Sequence, residues 1–179
     1  MVAIPRPGGD EYAPYYGKYI DLVPEASGEG ALAELVERQI EETRSALGGL
    51  PDARALHRYA TGKWSIKEVV GHVTDAERVF AYRALRIARA DPTPLAGFDE
   101  NAFVPPGQFD ARTLSDLLGE FAAVRRATVA LLRGLPADAV ARRGTASGKP
   151  VSVRALAYII AGHERHHLRI LKERYLAGS

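Results

Sequence analysis

The stretch DPTPLAGFDENAFVPPGQFD, Asp91–Asp110, separates two long helical patterns and limits how those helices can be arranged. Antiparallel neighbours in a helical bundle are joined by about 2–8 residues. A link of about twenty residues is either functional or a crossover along the bundle. The helix before it spans about 37 Å at about 1.5 Å per residue. Twenty extended residues can cover about 66 Å. The third long helix can therefore run parallel to the second. That predicts an up-down-down-up order with a long crossover between helices two and three.

Helical periodicity fills the rest of the chain, and no good strand alternation appears. The first long pattern covers 31–47, with Leu32, Leu35, Val36, Gln39, Ile40, Thr43 and Leu47 on one side and Gly48-Gly49 stopping it. The second covers 66–90. Ser65 and Glu68 form an S-x-x-E capping box, and Trp64 with Val69 can form a hydrophobic staple. The third covers 111–133, with Leu114, Leu117, Leu118, Phe121, Val124, Thr128 and Leu131 as its inner stripe. The fourth covers 151–176, with Val153, Leu156, Ile160, His163, His167 and Ile170 in one stripe. Four such patterns predict an all-α four-helix bundle. We expect one domain over 1–179, with residues 1–30 as an extended segment packing on the bundle. That segment carries Tyr12, Tyr15, Tyr16 and Tyr19, aromatic surface that would be costly to leave in water.

Composition removes several function classes. There is no cysteine, so disulfides, thiolate zinc sites and cysteine nucleophiles are excluded, and any metal must be held by histidines and carboxylates. The net charge of +2 shows no basic excess that argues for nucleic acid. The opening residues lack an apolar run after a basic region, so they do not read as a secretory signal. No run of about 18 apolar residues suggests a membrane span. The expected location is the cytoplasm.

The histidines are His57, His72, His163, His166 and His167. His163 and His167, spaced i,i+4, share the apolar face of the fourth helix, a common way to present two imidazoles to one metal. His72 lies on the inward stripe of the second helix with Val69, Ala76 and Val79. It sits about 9 Å from the start of its helix, and His167 about 14 Å from the end of its own. The depths match within a turn if the two helices are antiparallel. They fail to match if the helices are parallel, so depth and link length favour the same topology. His163-Glu164-Arg165-His166-His167 also fits H-E-x-x-H, the zinc-peptidase pattern with Glu164 as general base. The downstream ligand of that pattern is missing: the nearest acid, Glu173, lies about 120° off the His167 face. Glu164 then reads as a carboxylate supporting the ligands or facing solvent. His57 falls in a loop and receives no role.

The stretches YATGKWSIKEVVGHVTDAERVFAYRALRIARADPTPLAGFDEN and VSVRALAYIIAGHERHHLRILKERYL resemble the DinB-like (DinB/YfiT) family of metal-dependent enzymes. Trp64, Ser65, Glu68 and His72 match its W-S-x-x-E stretch and helix-two histidine. His163 and His167 match its H-x-x-x-H. The resemblance implies an up-down-down-up bundle and a divalent metal, zinc or nickel, on His72, His163 and His167. It also implies a homodimer. Relatives include thiol S-transferases and isomerases, and many are described only as hydrolases.

Three neutral imidazoles leave a coordination position open, so a metal here could activate water for hydrolysis or a thiol for transfer. The expected partner is a small molecule, with a low-molecular-weight thiol as co-substrate in the transfer case. Neither nucleic acid nor membrane is expected. The alternative is a non-catalytic metal-binding bundle, structural or sensory. Asp75 could orient a ligand imidazole, or simply pair with Arg78 or Lys67 in solvent. Arg78 and Arg83 could steer an anionic substrate, or belong to a solvated face. The 91–110 link and the tyrosine-rich segment could cover the pocket mouth.

Overall fold

The capping box before the second long helix forms as expected. Ser65 Oγ accepts from the Glu68 amide at 3.0 Å, and Glu68 Oε2 accepts from the Ser65 amide at 2.8 Å. The structure is a computed structural model describing residues 1–177, and it is mostly helical. In chain order the helices are α1 (Gly17–Ile20), α2 (Ala31–Leu47), α3 (Asp52–Ala55), α4 (Ile66–Ala88), α5 (Glu100–Gly107), α6 (Leu114–Arg133) and α7 (Val153–Ile170). The four anticipated long helices are α2, α4, α6 and α7, and α7 runs on through a π-helical turn over Leu171–Tyr175. Among the described residues, no helix is long and apolar enough to cross a membrane.

Three regions carry structure that helical periodicity did not announce. A hairpin of β1 (Arg143–Ala146) and β2 (Lys149–Ser152) leads into α7. Its turn residues, Ser147 (φ 53°) and Gly148 (φ 71°), are both left-handed, which suits a tight two-residue hairpin turn. The link after α4 is not bare chain. The Leu95 amide donates to the Thr145 carbonyl at 2.8 Å, and the Ser147 amide donates to Leu95 at 3.0 Å. Asp99 Oδ1 then caps α5 by accepting from the Asn101 amide at 2.9 Å. In the first thirty residues, Ile4, Tyr19, Ile20 and Val23 are buried, and α1 packs on α7.

The inner face of α6 is turned from the expected stripe. Leu114, Leu117, Leu118, Phe121 and Thr128 are buried, but Val124 and Leu131 are only half-buried. Arg125, Val129 and Leu132 take the interior instead. The reason is an ion pair with another helix: Arg125 Nε donates to Glu77 Oε2 of α4 at 2.9 Å. α7 is the central helix, with every residue from Ala155 to Glu164 buried.

The buried apolar residues fall into two clusters. One gathers Ile20, Val36, Phe80, Val129 and Ile160, and the other Leu47, Val70, Val73, Phe121 and Leu171. Where the clusters meet, each long helix supplies polar groups: Gln39 and Thr43, His72 and Glu77, Arg125, then His163, Glu164 and His167. A polar layer thus crosses the interior, and the histidines belong to it. At one end of α4, the Tyr175 hydroxyl donates to the Trp64 carbonyl at 2.8 Å, and Lys67 Nζ donates to the Arg112 carbonyl at 2.5 Å. At the other end, Arg142 Nη1 donates to the Ala88 carbonyl at 2.5 Å.

Candidate metal centre

Two of the three histidines follow a glycine, and in both cases something packs against the bare helix surface. A Cβ on Gly71 would lie 2.3 Å from the Phe109 ring, and one on Gly162 would lie 2.0 Å from the Tyr19 carbonyl oxygen. Neither distance is sterically possible, so glycine is required for the helices to be covered this closely. Phe109 thereby closes α4 beside His72, and α1 closes α7 beside His163.

The imidazoles of His72, His163 and His167 converge. His163 Nε2 stands 3.2 Å from His72 Nε2 and 3.2 Å from His167 Nε2. The potential ligand atoms of all three lie within 4.8 Å of one another. Nitrogens held about 2.0–2.1 Å from one ion at tetrahedral angles are about 3.3 Å apart. The set could hold a single divalent ion.

Burial keeps these rings neutral, as ligation requires. His72 is 7% exposed, and burial pushes its pKa down to about 4. His163 and His167 are held well below the ordinary imidazole value, first by burial and then by their histidine neighbours. Aromatic rings wall the group. Trp64 lies over His72 at 4.7 Å between centroids, while Tyr19 and Phe80 meet His163 edge-on at 5.2 and 5.8 Å. The Tyr19 hydroxyl bonds to that of Tyr15 at 3.0 Å, and burial together with Tyr15 raises its pKa. A cavity of about 240 Å³ opens beside the three rings.

A family model for the DinB superfamily matches residues 35–171. This chain belongs to the DinB superfamily. The DinB fold is also seen in a solved structure, YfiT from Bacillus subtilis, with a TM-score of 0.74 and 18% identity over 91% of each chain. YfiT is described as "a probable metal-dependent hydrolase with an unusual four-helix bundle topology". No curated protein sequence matches the chain.

The other residues singled out in this DinB protein lie in different places. Glu164 is 2% exposed and faces α2, where Gln39 Nε2 donates to its Oε2 at 2.6 Å and the Thr43 hydroxyl donates to its Oε1. Burial raises its pKa against the pull of Arg125. Asp75 accepts from Arg78 at 3.1 Å, and Arg78 also pairs with Glu120 at 2.6 Å. Burial raises the Asp75 pKa. His166 is half-buried with its ring 5.2 Å from that of Tyr19, and His57 sits edge-on to Tyr175 at 6.1 Å. The cavity also takes Phe98, Glu100 and Asn101 from the long link and Ser147 from the hairpin turn.

Arg83 separates from Arg78 and turns inward to line the cavity. Its inward direction was available from spacing, because Ala76, Phe80, Arg83 and Ile87 continue the stripe begun by His72. The tyrosine-rich segment, expected to cover the pocket mouth, lines the cavity with Tyr15, Tyr16 and Tyr19, whereas the hairpin that supplies Ser147 gave no comparable signal.

Proposed function

We propose that this chain is a divalent-metal-dependent enzyme that acts on a small molecule by hydrolysis or by transfer to a thiol, with the ion held by His72, His163 and His167. The convergence of three neutral Nε2 atoms beside an open cavity carries this reading. Zinc and nickel both suit an all-imidazole donor set. A bound ion of this kind supplies Lewis acidity, which makes water or a thiol nucleophilic near neutral pH. The protein's own contribution is to keep the imidazoles deprotonated and to fix their directions with Trp64, Phe80 and Tyr19. The described hydrolase resemblance of YfiT favours water as the nucleophile. The cavity favours a catalytic role over a purely structural metal, because a structural site is closed by a fourth protein ligand.

The same proposal includes one domain whose four long helices run up-down-down-up. The contacts at the two ends of α4 support this order: its start meets the end of α7 and the start of α6, and its end meets the residues before α7.

Elemental analysis tests the site. Protein purified without an affinity tag should carry about one equivalent of metal, the stoichiometry of a single three-histidine site. His72→Ala and His163→Ala should each lose it while keeping wild-type far-UV circular dichroism. Retention of metal by His72→Ala would remove the two-helix site.

A further inference from the structure

We propose that Arg83 anchors a carboxylate of the small molecule that enters the cavity, at the end away from the histidines. This rests on reading that cavity as the substrate site.

Arg83 is 2% exposed and lines the cavity. Its Nη2 donates to the Ala96 carbonyl at 2.7 Å and to Ser147 Oγ at 3.1 Å, both neutral acceptors. None of the ion pairs among the described residues includes Arg83. Glu100 lines the same cavity without pairing with it. A buried guanidinium without a counter-ion is costly, and folding alone gives no reason to retain one. An anionic ligand would neutralise it, and the planar fork suits a carboxylate bidentately.

The surroundings hold the fork in place. Phe80 and Phe98 flank the guanidinium carbon at 6.0 and 5.8 Å from their ring centroids. The hydroxyl partner comes from Ser147, a non-glycine residue in the left-handed region, so two separate loops are shaped to meet this one side chain. Phe80 also touches the metal site, with its centroid 5.8 Å from that of His163. The guanidinium and that imidazole are thus no further apart than those two Phe80 distances combined. A small molecule can reach both at once, with an apolar or aromatic body against Phe80. Lys18 and Glu100 also line the cavity, so with Arg83 its lining carries one net positive charge, which one carboxylate would balance.

Calorimetric titration of metal-free protein with benzoate and with neutral benzamide tests this. Working without metal matters, because a bound ion would itself attract a carboxylate. Wild type should prefer benzoate by about tenfold, the scale of a charge-assisted hydrogen-bonded contact. Arg83→Gln should bind the two alike, Arg83→Lys should keep part of the preference, and Arg78→Gln should keep all of it. Equal binding of the two probes by wild type overturns the anchor, and this comparison needs no variant to fold. So does a preference that survives in Arg83→Gln. Metal content measured on the same wild-type preparation before chelation reports separately on the three-histidine site. Loss of that site would leave a benzoate preference standing, and loss of the preference would leave the site standing.

Discussion

On one side of α7, Glu164 meets Gln39 and Thr43, and Gln39 Oε1 accepts from Arg125 Nη1 at 2.6 Å. Arg125 in turn pairs with Glu77. On the other side, His163 and His167 meet His72 and a cavity that contains Arg83. Both sides are polar and both are buried, yet they are built differently. The sealed side gives its arginine, at 0% exposure, an opposite charge. The sealed side answers charge with charge, although Glu77 Oε1 and Arg125 Nη2 keep no hydrogen-bond partner among the described residues, whereas the open side turns three imidazoles and a guanidinium toward a cavity.

The largest effect expected from this contrast lies on the sealed side. Arg125→Met strands Glu77 in the core and should cost about 3–5 kcal/mol of stability. Pairing it with Glu77→Leu should restore most of the loss, because a buried pair replaced as a unit is often neutral. Urea unfolding of the three proteins would show this. A small loss in Arg125→Met alone would mean that the sealed side is not a structural pair.

Acid should act next, through the open side. The folded protein holds His72 near 4 against an ordinary 6.5, so between those values the unfolded chain binds the extra proton. Stability of metal-free protein therefore rises with pH across this window and falls as pH drops through it. For His72 alone the total is at most about 3.5 kcal/mol, at about 1.4 kcal/mol per pH unit. Urea midpoints measured from about pH 7 to about pH 5 would detect the slope, and His72→Ala should lessen it without abolishing it, because His163 and His167 are also held below the ordinary value.

The smallest effect is the most discriminating. Arg83→Met removes a buried charge that has no counter-ion but also takes the donor from the Ala96 carbonyl and Ser147 hydroxyl, so the loss should be about 1–2 kcal/mol, well short of that for Arg125→Met. A melting temperature that falls as far as that of Arg125→Met would erase the distinction between the two arginines.

Much of this was legible in the residues. The boundaries of α2, the Ser65–Glu68 box and the three histidines all follow from local rules of spacing and capping. The inward turn of Arg125 does not, because its cause lies 48 residues away on another helix. A single-helix pattern treats arginine as solvent-facing, and so Val124 and Leu131 looked more interior than they are. Gln39 and Thr43 were placed on the inner stripe, but their partner Glu164 became clear only once α2 and α7 were side by side. The hairpin rests on two left-handed residues, Ser147 and Gly148, with short flanking strands that show no clean alternation.

The bare surface at Gly162 has a consequence for how the molecule is made. Tyr19 rests on that glycine, and nearby Arg154 Nε donates to Glu11 Oε2 at 2.7 Å, across 143 residues of chain. The cavity wall is therefore shared between a segment synthesised early and a helix synthesised late. During translation the first thirty residues lack their α7 surface until that helix has emerged, although Tyr16 also meets Phe80 of the earlier α4 at 6.1 Å between centroids. Contacts of such long sequence separation form slowly. The cavity is then complete only once α7 has met the segment that opens the chain.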